Sequence, residues 1–282
     1  MDNVKAFLLQ QWTYGPEVCL SAFALLGAAK VRKVVKASGG QMFWAQSLVL
    51  TFMVGFGGGI LAPFLLGKPP VIFTNDLLVP LVTVAWFLVN LTEGVIFRVL
   101  GTPVINQVML VLGECFRANA MCGVVLAANK VISASKYYPI PLWGPILLGT
   151  IGACGGMFLP LDKGLQGLKN GAPWPMQSAF YGSMFFHLTV HDPNVGPYLR
   201  QGVSYVFEGE NIAEVARMCV VLFFCSMAIA QSFLGPTFNP FMPVHNILYN
   251  VTGIPRAGVA MPTATATAPS APVATADKPK GE

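Results

Sequence analysis

Charged residues are scarce in this chain, and their absence is concentrated in long runs. Asp, Glu, Lys and Arg together make up 10% of the residues, whereas a soluble domain carries about a quarter. None of them occurs in residues 37–67, 137–161 or 218–255. Each run is longer than the ~20 residues that an α-helix needs to cross the hydrocarbon core of a bilayer. These absences exclude a soluble globular fold and predict a polytopic membrane protein.

Other missing signals exclude further classes. The chain has no H-E-x-x-H, G-x-S-x-G or Walker-type loop, which disfavours an enzyme. The apolar runs lack the alternation of a β-barrel and favour helices. The N-terminus has no basic region before a short apolar core, so we expect no cleavable signal peptide. The net charge of +5 is small and scattered, and we expect no nucleic-acid partner.

Cysteines are present, but their spacing predicts no metal and no disulfide framework. No C-x-x-C pair occurs, and all six cysteines stand in apolar segments, where they are expected to be small buried hydrophobes: Cys19, Cys115, Cys122, Cys154, Cys219 and Cys225. We also expect no cofactor.

The apolar segments predict an all-α integral membrane protein with seven transmembrane helices. They cover about residues 16–34, 42–66, 76–97, 103–127, 140–161, 176–191 and 212–234. The transmembrane domain would occupy residues 1–256. Residues 257–282 are rich in Ala, Thr and Pro, a composition with too little large apolar surface to fold, and predict a disordered cytosolic tail.

The distribution of Lys and Arg predicts the orientation. Ten cations flank the helices on one side, four of them in the loop after the first helix: Lys30, Arg32, Lys33, Lys36, Arg98, Lys163, Lys169, Arg256, Lys278 and Lys280. Five lie on the other side: Lys5, Lys68, Lys130, Lys136 and Arg200. Since cytosolic flanks carry the excess of positive charge, the N-terminus should be luminal and the C-terminus cytosolic.

The second and fifth helices carry the same motif. G-x-x-G-G-x-x-x-P begins at Gly55 and again at Gly152, and residues 25–31 and 125–131 form a weaker echo at nearly the same offset. The repeating unit therefore contains three helices, and two copies of an odd number of helices must face opposite ways across the membrane. This predicts a 3+3 inverted repeat with the seventh helix left over, the first repeat at about 16–97 and the second at 103–191. Such repeats are typical of transport proteins.

The physics of the motif fits a transport pathway. Paired glycines allow helices to approach closely, and a proline four residues on favours a bend that frees carbonyl groups. Free carbonyls at membrane depth require protein or water around them. The candidate pore and gating residues are therefore Gly55, Gly58, Gly59, Pro63, Gly152, Gly155, Gly156 and Pro160. The alternative is that these glycines are packing contacts only.

Ionisable residues inside predicted helices are the second signal. Glu114 and Arg117 stand near the middle of the fourth helix at i and i+3, where they share a face and can pair. Charges at that depth belong to a functional site or to a buried structural pair. His187 and His191 have i, i+4 spacing at the end of the sixth helix. Asp192 is the one further ligand there, so we favour a structural role at the headgroup level.

At the second and third helices the chain resembles a known family. The run G-G-G-I-L-A-P-F-L-L-G-K-P-P at residues 57–70, then Thr74-Asn75 and A-W-F-L at 85–88, is similar to the TRIC family of trimeric intracellular cation channels. The resemblance extends over about residues 16–235. It implies a homotrimer with one pathway inside each protomer that conducts potassium as a counter-ion during calcium release.

The resemblance also implies a lipid site. Family members of animals bind a phosphoinositide through Lys and Arg on the fourth helix. Arg117 matches the arginine, whereas Gly113 and Ala120 replace the lysines. A bound phospholipid at Arg117 is thus an expectation. A secondary transporter on the same inverted repeat is the main alternative; a seven-helix receptor would lack the repeat, and a lipid-binding scaffold would show no flux.

The last residues of the given sequence predict the membrane in which the protein resides. Lys278 and Lys280 have the spacing of a di-lysine retrieval signal, which is a receptor-read address, and the family resemblance implies the same membrane. We therefore expect the protein in the endoplasmic reticulum.

The predicted topology leads to a simple test. Asn250-Val251-Thr252 is an N-glycosylation acceptor that the orientation places in the cytosol, where it should stay unmodified. Glycosidase treatment of protein from eukaryotic cells should leave its electrophoretic mobility unchanged. A mobility shift that Asn250→Gln abolishes would place this segment in the lumen and contradict the seven-helix topology.

Overall fold

The fold is helical throughout the part of the chain that the computed structural model describes. That part comprises residues 2–37, 39, 42–90, 94–159, 173–205, 211–235 and 238–252, and it contains no strand. The chain divides into two units, residues 1–239 and 240–282. The predicted all-α class is confirmed for these residues, while the predicted tail at 257–282 lies outside them.

The part of the chain that the structure describes contains twelve α-helices. In chain order they are α1 Asp2–Leu8, α2 Gly15–Ala37, α3 Trp44–Leu65, α4 Val71–Thr74, α5 Leu78–Asn90, α6 Val95–Leu100, α7 Pro103–Val131, α8 Trp143–Cys154, α9 Trp174–His191, α10 Gly196–Ser204, α11 Ile212–Leu234 and α12 Met242–Thr252. Each of the seven predicted segments contains a helix. The second unit contributes α12, and the other helices belong to the first.

Three of these helices are long and apolar enough to cross a membrane. They are α3, α7 and α11, and α5 is apolar but shorter. α7 has 29 residues, which at 1.5 Å per residue span about 43 Å. Pro103 stands in its first turn, a position that tolerates proline because the missing N–H has no helical acceptor there. The chain is therefore a membrane-spanning helical protein.

Two predicted helices are interrupted. The segment at 76–97 forms α5 and α6, and Gly94 begins α6 with φ of 86°, a left-handed conformation that glycine adopts without steric cost. The side chain of Arg32 fills the space where a Cβ on Gly94 would stand. The segment at 140–161 forms α8 and then a 3₁₀ turn, Gly155–Met157. Both segments are apolar along most of their length, so their composition alone does not reveal either interruption.

α2 is longer than the sequence indicated. It continues to Ala37, so Lys30, Arg32, Lys33 and Lys36 belong to its last two turns rather than to a loop, and this assignment was wrong. Arg32 and Lys36 hold their charges 5.5 Å and 5.0 Å from the ring centroid of Phe97. Cation–π contact and apolar stems let long basic side chains remain on a helix at the membrane boundary.

α7 is the central helix of the first unit, and it packs against α2, α8, α9 and α11. Small and flexible side chains fill these contacts, with Ala118, Met121, Cys122 and Val125 all fully buried. Small residues allow helices to approach closely in a membrane, where packing rather than the hydrophobic effect joins them.

A polar corner follows α9. Asp192 is fully buried and accepts hydrogen bonds from the Tyr138 hydroxyl at 2.5 Å and from the N–H groups of Asn194 and Val195 at 2.7 and 2.8 Å. Burial opposes ionisation, but these donors outweigh it and hold the pKa of Asp192 below its usual value. The carboxylate thus fixes the turn that precedes α10 and joins it to the loop that precedes α8.

Removing this carboxylate should destabilise the first unit. Hydrogen bonds to a charged group contribute about 1.5–3 kcal/mol each, and solvent near the loop reduces that value, so Asp192→Ala should cost about 2–3 kcal/mol. Because the folded-state pKa is lowered, the contribution is present above the unfolded pKa of about 3.9 and is lost as the pH falls below it. Thermal unfolding in detergent should show a gap between the variant and the parent at pH 7 that is narrower at about pH 3.

Asp76 supplies the matched control, since it is exposed and lies outside the corner. Asp76→Ala should unfold with the parent at both pH values. Equal loss of stability in the two variants would show that the Asp192 hydrogen bonds do not stabilise this corner.

Candidate functional site

The two copies of the glycine motif meet face to face. Gly58 of α3 lies against Gly155 in the 3₁₀ turn, where an added Cβ on Gly155 would stand 2.5 Å from the Cα of Gly58. A Cβ on Gly57 would stand 2.7 Å from the Cα of Gly156. Real Cβ atoms do not approach backbone so closely, so only glycine permits this contact. The two motifs predicted from the sequence therefore form one backbone-to-backbone interface.

The interface has an antiparallel sense. Gly58 stands against Gly152, and Gly156 stands against Val54. The later residue of one motif thus meets the earlier residue of the other. Opposite chain direction at this contact is the relation that an inverted repeat requires.

A cavity of about 750 Å³ opens beside the interface. Its lining includes every candidate pore residue that the structure describes: Gly55, Gly58, Gly59 and Pro63 of α3, Glu114 and Arg117 of α7, Gly152 of α8, and Gly155 and Gly156 of the 3₁₀ turn. Pro160 lies outside the described residues. The structure therefore brings together residues that three separate segments of the sequence contribute.

The wall of the cavity contains irregular backbone. Pro63 lies inside α3, and because proline has no N–H, the carbonyl of Gly59 lacks its helical donor. On the other side, α8 ends at Cys154 and the chain tightens into the 3₁₀ turn. α3 itself continues to Leu65, so the α-helix ends within the second copy of the motif and not within the first. Polar backbone at this depth is tolerable where it faces a cavity.

Glu114 and Arg117 form a pair on the cavity wall. The Arg117 Nε donates to a Glu114 carboxylate oxygen at 2.8 Å. The remaining donors reach α9: Nη1 donates to the Pro175 carbonyl and Nη2 to the Ser178 hydroxyl, both at 3.1 Å. The guanidinium carbon also lies 4.5 Å from the ring centroid of Phe224 on α11. Arg117 is therefore held by two other helices, α9 and α11, as well as by its ion-pair partner on α7.

The lipid site expected at Arg117 has different surroundings from the one that the resemblance implies. The side-chain nitrogens of Arg117 are engaged within the protein, and Gly113 packs beneath α2, where a Cβ would stand 3.1 Å from Leu26 Cδ1. A side chain at Gly113 would therefore require the Leu26 side chain to shift. The glycine at this position is therefore a helix-packing residue in this chain.

Sequence reasoning missed several residues of the cavity. Lys30 and Phe23 of α2 line it, as do Lys68 of the link after α3 and Phe116 of α7. Phe23 packs against Phe56 and Phe116 with ring centroids 5.5 and 5.2 Å apart. The sequence did contain an indication that Lys30 belongs to the site, because Lys30 lies within the repeated segment 25–31. The prediction that Lys30 stands in the loop after the first helix obscured that indication.

The histidines lie apart from the cavity lining. His187 is fully buried, and the His191 Nδ1 is 3.3 Å from the amide nitrogen of Asn129 on α7. Among the described residues, no group of three or more His, Cys, Asp or Glu could hold a metal. Asn119, near the pair, donates to the carbonyls of Leu8 and Cys115 at 2.9 and 2.8 Å, and it thereby fastens α1 to α7.

The fold and the cavity define a polytopic α-helical membrane protein whose helices pack through glycine around an internal space. Over residues 41–172 the chain matches the model of the TRIC channel family. The TRIC resemblance predicted from the sequence is thus confirmed. Among curated proteins, none matches the chain.

Solved TRIC channels share the fold. A trimeric intracellular cation channel from C. elegans, determined without Ca²⁺, superimposes with a TM-score of 0.60 at 19% identity and covers 84% of this chain and 99% of its own. The C. elegans channel with bound Ca²⁺ gives 0.57 at 19% identity, covering 80% and 94%. A TRIC counter-ion channel in calcium release gives 0.57 at 17%, covering 82% and 100%.

The glycine interface makes a sharp mutational prediction. Gly58→Ala introduces one methyl group against the backbone of Gly152 and Ile151, and overpacking of this kind costs about 1–3 kcal/mol. We expect a lower melting temperature in detergent and loss of ion flux from proteoliposomes.

Gly202 of α10 is the matched control, because it lies outside the cavity lining and an added Cβ would meet nothing within 4 Å. Gly202→Ala should keep the parent's stability and flux. Identical behaviour of the two variants would show that close approach at Gly58 is not required.

Proposed function

We propose that this chain is a monovalent cation channel of an intracellular membrane, with a potassium pathway through the cavity of each protomer. The observation that carries the proposal is the convergence of both glycine motifs and the Glu114–Arg117 pair on one cavity. A pathway at the interface of two repeats is the arrangement that inverted-repeat transport proteins use. The family match and the shared fold support a channel rather than an enzyme.

The proposal includes a seven-helix, 3+3 architecture. The spans would be α2, α3, α5 with α6, α7, α8 with the 3₁₀ turn, α9 and α11. The antiparallel contact of α3 with the α8 segment supports the inverted relation, because equivalent helices of the two repeats must run in opposite directions. α11 would be the helix outside the repeat.

The assembly and location form part of the same proposal. The structural neighbours include a trimeric intracellular cation channel and a counter-ion channel in calcium release. By analogy, this chain would form a homotrimer in the endoplasmic reticulum membrane, with a luminal N-terminus and a cytosolic C-terminus. It would carry potassium to balance charge when calcium leaves the reticulum. A phospholipid bound near Arg117 would complete the protomer.

A secondary transporter is the second candidate, favoured by the size of the cavity. A volume of about 750 Å³ is within the range of small-molecule sites, ~300–1,000 Å³. A transporter must alternate its access for each substrate, whereas a channel passes ions down their gradient without a cycle. The two candidates therefore differ in rate and in saturation.

The test is potassium movement through the purified full chain. In proteoliposomes with a potassium gradient, a channel should support flux that a membrane potential drives, and planar bilayers should show discrete single-channel currents. Empty liposomes and the Gly58→Ala protein serve as controls. Flux that saturates with substrate and lacks unitary currents would identify a transporter, and absence of any potassium flux from folded protein would contradict both.

A further inference from the structure

The cavity carries an unequal set of charges. Among the residues that the structure describes, four charged side chains line the cavity, three positive and one negative: Lys30, Lys68, Arg117 and Glu114. A wall with excess positive charge opposes the entry of cations. The three cations differ in how their charges act on the open space.

Arg117 is compensated. Its Nε donates to Glu114 at 2.8 Å, and its other nitrogens donate to the Pro175 carbonyl and the Ser178 hydroxyl. The pair has little net charge, and the contacts to α9 prevent the guanidinium from turning into the cavity. Glu114 and Arg117 together contribute a fixed dipole rather than a free charge.

Lys68 stands in the link between α3 and α4, outside both helices, and its side chain is exposed. It therefore lies at the rim of the cavity, where solvent ions screen its charge.

The surroundings of Lys30 differ from those of Arg117 and of Lys68. It is an exposed residue of α2 between buried neighbours, since Ala28, Ala29 and Val31 are all buried. Because it also lines the cavity, its exposure is toward that space. Within the described residues it has no hydrogen-bond or ion-pair partner. Glu114 acts on it electrostatically but is already paired with Arg117.

The other cations near the end of α2 are used elsewhere. The Arg32 guanidinium donates to the Val89 carbonyl and lies over Phe97, and the Lys36 ammonium lies over the same ring. Lys33 is exposed and lies outside the cavity lining. Lys30 is thus the cation of α2 whose charge faces the proposed pathway.

We propose that the Lys30 ammonium is the electrostatic barrier that limits cation passage through the cavity and determines its conductance. This inference rests on the proposed channel function. A fixed positive charge beside a potassium ion in a wall of low dielectric raises the free energy of the ion there, far more than the same charge in bulk water. Lys30 is accordingly a conductance-determining residue, while the Glu114–Arg117 pair is a structural element of the wall.

The experiment compares single-channel potassium currents of the full chain in planar bilayers. Lys30→Gln removes the charge and keeps a polar side chain, and it should raise unitary conductance by at least about threefold, because the repulsion between two unit charges within about 25 Å of each other, at an effective dielectric constant near 20, changes an equilibrium by that factor or more. Lys30→Arg keeps the charge and should retain the parent's conductance. Lys33→Gln, on the same helix but outside the cavity, is the matched control and should match the parent.

A second measurement changes the charge after folding. Lys30→Cys protein in bilayers should lose conductance with a cationic methanethiosulfonate reagent and gain it with an anionic one. The same reagents on the parent protein, whose native cysteines are buried or partly buried, measure the background.

The outcomes separate the two proposals. If the parent protein passes potassium but Lys30→Gln and both modified Lys30→Cys proteins keep its conductance, the barrier proposal is overturned and the channel function stands. If folded parent protein passes no potassium, the channel function itself fails. A rise in conductance with Lys33→Gln equal to that with Lys30→Gln would also overturn the assignment to Lys30.

Discussion

The contact of bare backbone between Gly58 on α3 and Gly155 after α8 is the constraint on which the rest of the first unit depends. Packing without Cβ atoms lets two chain segments approach closely where lipid would otherwise compete for their surfaces. The contact places both glycine motifs on one wall, and the cavity lies beside them. A methyl group on either glycine would require the helices to separate.

α7 contributes charged side chains to the wall of the cavity, whereas α3 and the α8 segment contribute glycine backbone. Its Arg117 joins α9 through Pro175 and Ser178 and α11 through Phe224, so a single guanidinium links three helices around one end of the cavity. Its partner Glu114 removes the cost of leaving that charge alone in an apolar setting. The pair therefore stabilises the wall, which leaves Lys30 of α2 to set the field inside.

Much of the site was predictable because glycine pairs and intramembrane charges are costly and therefore rare. Gly55, Gly58, Gly152 and Gly155 were found by matching one motif to another 97 residues later. Lys30 was not predicted as a site residue, because a lysine near the end of an apolar run is normally interpreted as part of the loop that flanks a transmembrane helix. The direction in which its side chain points depends on how α2 packs against α7, which composition does not encode.

The sequence by itself determined the class of protein, the seven apolar helical segments and the repeat, since each follows from local composition and from spacing along the chain. Only the tertiary structure decided that the two motifs touch, that the 3₁₀ turn replaces the end of the fifth predicted helix, and that Arg117 is engaged while Lys30 faces the cavity. These features depend on which atoms of distant segments come within a few ångströms of each other. Helix packing sets such distances, and residue order alone does not specify them.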